Sequence, residues 1–258
     1  MCKNLSKLIY ILSLFLFLVH YTVYAQENTS DLKKEIYNLK YKQKELQKNI
    51  KLKNELLLKN LMPAPPKANV YGVEFELGDN PSRGSDNAPL ALIDFSDYQC
   101  TYCAKHTKET FPVINRGYIK TGKLRYIIID KPLPIHDLAD KAEEAAHCAV
   151  EQEKFWEIHD KLMSNPGAVY DLNSLASSLN FEMDKFKYCM ETEKYVQKAA
   201  SNISLSAKLK VPSLSGFIIA SRDSQNPQKV KGISYIRGAK PFEKFKIGID
   251  QALASLAK

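Results

Sequence analysis

An apolar run that breaks into a tight turn and then two cysteines constrains this chain more than any other stretch: ALIDFSDYQCTYCAKHTKETFPVI, Ala91 to Ile114. Ala91, Leu92 and Ile93 lead through one acidic residue, Asp94, to Phe95. Ser96–Gln99 turn the chain, Cys100 and Cys103 follow, and a polar pattern of helical period continues. Strand, turn and a Cys-X-X-Cys opening a helix is the context of a redox-active dithiol. A thiolate, not a thiol, attacks disulfides, so the first cysteine must sit where negative charge is stabilised. The unpaired N–H groups of a helix N-terminus do this, lowering a thiol pKa from about 8.5 toward about 3.5–7.5. The spacing brings the second sulfur within bonding reach. Cys100 is therefore expected as an exposed nucleophile and Cys103, one turn in, as the buried resolving thiol. A zinc site would want a second close Cys/His pair, which does not follow; haem attachment needs His after the second Cys, where Ala104 stands; a structural bridge across a helix start would constrain little chain.

FSDYQCTYC is similar to the active-site sequence of the DsbA family of exported thiol:disulfide oxidoreductases, and a looser resemblance runs from about Val70 to the C-terminus. The pair Thr101-Tyr102 departs from the Pro-His or Pro-Tyr that relatives often carry, and these two residues tune the thiolate. The resemblance implies an α/β thioredoxin fold with an inserted helical subdomain. It implies that Asp94 is a buried acid taking the proton of Cys103, where a solvated strand-end carboxylate is the alternative. It makes Pro212 a cis proline packed beside the disulfide, with Val211, Thr101 and Tyr102 contacting substrate. An ordinary trans proline is the alternative, because Ser213–Gly216 lengthen the link into the next strand. It further implies reduced or unfolded exported proteins as substrates and a membrane redox partner of the DsbB or DsbD type. Neither a cofactor nor a metal enters this reading.

In chain order, Met1–Ala25 has the build of a cleavable secretory signal: Lys3 and Lys7, then an apolar Leu8–Val19, with cleavage expected before Gln26 and an uncleaved anchor as the alternative. Export places the chain in the periplasm or another extracytoplasmic space. Cys2 would leave with the signal, and an even set of cysteines in an oxidising compartment remains. Asp31–Leu61 lacks Gly and Pro and carries Leu32, Ile36, Leu39, Leu46, Ile50 and Leu57 at alternating steps of three and four. This predicts a helix about 45 Å long whose seam, interrupted at Gln43, Lys53 and Asn60, points to a coiled-coil partner and a homo-oligomer; a lone amphipathic helix is the alternative. Residues 26–61 thus form an arm, 62–69 a proline-rich linker and 70–258 the catalytic domain.

Within that domain, Tyr71–Leu77 is the first strand, Lys123–Asp130 the strand after the active-site helix, Phe217–Ile219 and Lys229–Ser234 the last two, and Ala239–Ala257 the closing helix. Pro112 should kink the active-site helix. Helical periodicity from about 136 to 209 marks the insertion, with Phe155 and Trp156 as core anchors. Cys148 and Cys189 lie in two of its helices; a structural disulfide is favoured over two buried thiols or a second redox pair, because exported thiols rarely stay unpaired. Asp97 suits a turn or cap and His106 a helix surface, while His136, His147 and His159 show no ligand spacing. The net charge of +8 is spread along the chain without an aromatic-interleaved basic motif, which argues for solubility and not nucleic-acid binding. The oxidase direction is expected, a reduced oligomeric isomerase or reductase is the runner-up, and a non-catalytic binding or assembly protein the reading from another class.

Overall fold

The computed structural model describes residues 35, 36, 38–51, 53 and 68–257. The expected signal segment, both ends of the expected coil and most of the linker lie outside them. The chain divides into two compact units, Met1–Pro65 and Pro66–Lys258. In the first, the described residues are helical, as a stretch without Gly or Pro favours. Ile36, Leu39, Leu46 and Ile50 are all exposed on it, and Leu46 keeps 63% of its surface.

The second unit is built on six strands: β1 Glu74–Glu76, β2 Ser82–Arg83, β3 Leu90–Ser96, β4 Leu124–Asp130, β5 Gly216–Arg222 and β6 Lys229–Arg237. Their order is β1-β6-β5-β3-β4-β2. β3 and β4 run parallel and every other pairing is antiparallel. All seven residues of β3 and all seven of β4 are buried, which is why both read as near-continuous apolar runs and not as alternation. The two faces still separate by the strand period of two. Leu90, Leu92, Tyr126, Ile128, Phe217 and Ile219 enter one core; Ala91, Ile93, Phe95, Ile127, Ile129 and Ile218 enter the other.

Between β3 and β4 one helical run carries the cysteines: α1 Thr101–Lys105, a π turn His106–Thr110, α2 Phe111–Ile114 and a second π turn Asn115–Ile119. Pro112 does not end it. The π turn places Pro112 in the first turn of α2, where the missing N–H removes no bond. Between β4 and β5 lies the insertion, α3 Ala139–Cys148, α4 Phe155–Ser164, α5 Leu172–Ser178, α6 Met183–Glu191 and α7 Val196–Lys208, with short 3-10 turns at Ala149–Gln152 and Pro166–Asp171. Cys148 at the end of α3 is bonded to Cys189 of α6, S–S 2.05 Å and Cα–Cα 5.8 Å. The closing helix α8, Phe242–Leu256, buries Phe245, Ile249 and Ala252 against the sheet. Among the described residues no helix is long and apolar enough to cross a membrane.

Candidate active site

The parallel pairing of β3 and β4 brings Ser96 opposite Asp130, so the segments that leave these strands start side by side. Asp97 joins them. Its Oδ1 accepts from the Gln99 N–H at 2.7 Å, which shapes the turn, and its Oδ2 accepts from Leu133 N at 2.9 Å and meets His136 Nδ1 at 2.7 Å. Gln99 repeats the link, accepting from Leu138 N and donating to Asp137 Oδ1. Asp97 is thus a turn residue, and it also anchors the loop after β4.

That turn delivers Cys100 to the N-cap of α1, where its Sγ accepts from the Cys103 N–H at 3.3 Å. Both sulfurs are free thiols. Cys100 is more covered than its expected role suggests, at 6% exposed, and Cys103 at 1% is closed off. The Cys103 thiol, hydrogen bonded to Cys100, and then the N–H groups of Cys103 and Tyr102 lower the Cys100 thiol to about 7, against opposing contributions from burial and from Asp97. Burial, and then the hydrogen bond to Cys100, push the Cys103 thiol far up. One sulfur can carry negative charge near neutrality while its neighbour keeps its proton.

Asp94 lies on β3 beneath this pair, 1% exposed. The Tyr126 hydroxyl donates to its Oδ2, and Oδ1 has no partner. Burial raises its carboxyl to about 8; the Tyr126 bond works against that rise, and the charges of Cys100 and Asp130 add to it. The solvated alternative is excluded. Tyr126 escaped notice in the sequence because a strand buried on both faces has no alternation to single out one side chain.

His106 is fully buried, contrary to the surface expectation. It stands on the inward face of the helical run with Cys103, and its ring lies 4.2 Å from that of Phe217 and 5.1 Å from that of Phe245. Burial lowers it to about 3, so it stays neutral at physiological pH. Its polar helical neighbours hid the buried face.

The loop before β5 corrects the expectation for Pro212 and Val211. The bond preceding Pro212 is not cis; among the described residues the cis peptide is Leu214–Ser215. Val211 is buried in the second core, and its carbonyl accepts from Lys131 Nζ at 2.6 Å. The reason is register: β5 begins at Gly216, so Ser213–Ser215, and not Val211-Pro212, immediately precede the strand. Ser213 and Leu214 accordingly line a groove of about 450 Å³ with Tyr102, Arg237 and Lys240. A Cβ on Gly216 would come within 2.8 Å of both the Ser213 carbonyl oxygen and the Tyr235 hydroxyl, so glycine there lets the loop lie this close. Thr101 and Tyr102 are exposed, Tyr102 at the groove wall.

Three comparisons bear on this arrangement. A family model described as thioredoxin matches residues 76–236. The Na(+)/H(+) antiporter NhaA 3 of Salinispora tropica is 26% identical over 155 residues, 59% of this chain and 23% of the antiporter. The disulfide bond formation protein D of Bacillus subtilis is 23% identical over 144 residues, 51% of this chain and 63% of that protein. The chain thus spans less than two thirds of the length of either. Among solved structures, alpha-DsbA1 of Wolbachia pipientis superposes with a TM-score of 0.56 at 24% identity, covering 70% of this chain and 96% of that one, a likeness of fold.

Proposed function

Since this chain belongs to the thioredoxin family, we propose that it is a DsbA-like thiol:disulfide oxidoreductase that introduces disulfides into exported proteins. The observation that carries this reading is the pairing of a Cys100 thiol with lowered proton affinity at a helix N-cap with a Cys103 thiol that retains its proton. In the oxidase direction a substrate thiolate attacks Cys100 Sγ of the Cys100–Cys103 disulfide. A mixed disulfide forms and the electron pair leaves on Cys103, which takes a proton with Asp94 as the relay. A second substrate thiolate then attacks the substrate sulfur of the mixed disulfide, releasing oxidised substrate and Cys100 thiolate. Stabilising that thiolate stabilises the reduced protein, which makes the disulfide the better oxidant. The groove walled by Tyr102, Ser213 and Leu214 is where the substrate chain would lie, and Arg237 and Lys240 favour carboxylate-bearing segments there. A membrane partner of the DsbB type would reoxidise the pair.

Antiport is not part of the proposal: only 23% of the antiporter is matched. A second reading, an oligomeric isomerase held reduced, is favoured by one observation, the exposed Ile36, Leu39, Leu46 and Ile50. Their heptad spacing suits a self-associating arm, and association of arms would set several dithiols around one substrate. Export behind a signal at residues 1–25 belongs to both readings.

The test is the refolding of a reduced, denatured disulfide protein, alongside the redox state of Cys100 and Cys103 trapped in cells by acid quenching and a thiol mass tag. Recovery of activity that disappears in Cys100→Ser supports the enzyme; survival of function in that variant would leave a binding protein. A pair trapped oxidised supports the oxidase, and a pair trapped reduced supports the isomerase.

A further inference from the structure

Asp130 ends β4, and Glu143 and His147 stand four residues apart on α3, one turn of the same helix face. The three side chains meet in the interior: none is more than 3% exposed, and one ligand atom from each lies within 4.8 Å of the others. His147 Nε2 and Asp130 Oδ2 are 2.7 Å apart. Both carboxyl oxygens of Glu143 are buried with no hydrogen-bond partner.

A buried carboxyl is satisfied in one of two ways. Ionised, it accepts hydrogen bonds; protonated, it donates one. Glu143 does neither. No lysine or arginine pairs with Asp130 or Glu143 among the described residues. The cluster thus holds a buried carboxyl group with neither oxygen partnered, and a buried unsatisfied group of this kind points to an ion or a water.

We infer that Asp130, Glu143 and His147 form a site for one divalent cation of the zinc class. Two carboxylates and an imidazole are the donor set that such borderline ions accept, with a further position left for water. The cation would replace the His147–Asp130 hydrogen bond with two metal–ligand bonds and give Glu143 the partner it lacks. It would also tie the end of β4 to α3, the first helix of the insertion. None of the three residues exchanges thiol or disulfide, and Asp130 bears on that chemistry only through its charge on Asp94.

The test uses tag-free Cys2→Ser protein with both disulfides formed, so that no thiol can bind metal. The chain is unfolded in guanidinium with EDTA, refolded with or without equimolar ZnCl₂, desalted, and its zinc counted by mass spectrometry. The zinc content of protein isolated directly from zinc-supplemented cells is the second measurement. One zinc per chain is expected in both. Glu143→Gln and His147→Asn should weaken binding by more than about 100-fold, beyond the usual effect of losing an outer-sphere partner alone, and zinc should raise the unfolding temperature of the wild type only. Zinc absent from folded wild-type protein in both preparations overturns the site and leaves a buried water in the gap. Zinc retained in full by Glu143→Gln overturns it equally, by placing the ion elsewhere. Refolding of a reduced substrate reports on the thiol chemistry separately.

Discussion

Two protons decide what the dithiol can do, and each is held by a nameable contact. Cys100 loses its proton readily, chiefly because the Cys103 thiol hydrogen bonds to it. Alkylation of the reduced protein by iodoacetamide should therefore reach half its maximal rate near pH 7. In Cys103→Ala the midpoint should rise toward about 8.5, the ordinary thiol value; an unmoved midpoint would put the cause in the backbone alone. The second proton belongs to Asp94, whose carboxyl rises from 3.8 to about 8 on burial. Between those values the folded chain binds a proton that the unfolded chain does not, so this residue's contribution to stability is lost as pH rises through that window. Asp94→Asn should therefore be more stable than the wild type by about 2–4 kcal/mol at pH 7, with the gap closing below about pH 4, as urea unfolding at the two pH values would show. The same variant should form the mixed disulfide at Cys100 more slowly, because Cys103 then leaves without its proton relay. Tyr126→Phe removes the bond that restrains the rise, so the pH midpoint of the Cys103-dependent step should move upward. Of these residues, Cys100, Cys103 and Asp94 were legible because each is an unusual residue type at a telling position. Tyr126 and His106 were not, since an aromatic in a doubly buried strand and a histidine among polar helix residues look like their neighbours.

At the scale of elements, the Cys148–Cys189 bond joins α3 to α6 across 41 residues. Closing a loop of that length contributes about 4 kcal/mol in the chain-entropy model. Cys148→Ala with Cys189→Ala should lower the urea midpoint accordingly while leaving the Cys100 titration where it was. Gly216→Ala acts on a different element: its methyl meets the Ser213 carbonyl and the Tyr235 hydroxyl, and the loop beside Tyr102 must shift. Peptide oxidation should fall about ten- to a hundredfold, the usual effect of misplacing a binding wall by about 1 Å, while the thiol titration holds. Strands and helices were mostly legible, because the apolar runs at β3 and β4 and the helical periods of the insertion are strong signals. The loop into β5 was not. Proline is the visible mark of a cis bond, so Pro212 drew attention, whereas the peptide bond that is cis precedes a serine. Glu143 and His147 share a helix face that spacing alone could reveal, but Asp130 joins them only through the fold.

For the molecule as a whole, the exposed row Ile36, Leu39, Leu46 and Ile50 is the feature with the largest reach. If it is the seam of a coil, Leu39→Lys with Leu46→Lys should turn an oligomer into a monomer by light scattering and leave Cys100 reactivity unchanged. A wild type that is already monomeric would remove the structural argument for an isomerase. The net charge of +8 should keep either form soluble and draw it to anionic surfaces at low salt.

The carboxylate of Asp97 holds the dithiol turn with one oxygen and the Leu133–His136 segment with the other, and Gln99 doubles the tie through Leu138 and Asp137. In mechanical terms Asp97 is a splint between the turn that carries Cys100 and the loop that enters the insertion. Cutting it, as in Asp97→Ala, would free both loops at once, and the turn under Cys100 would lose the support it takes from the loop after β4.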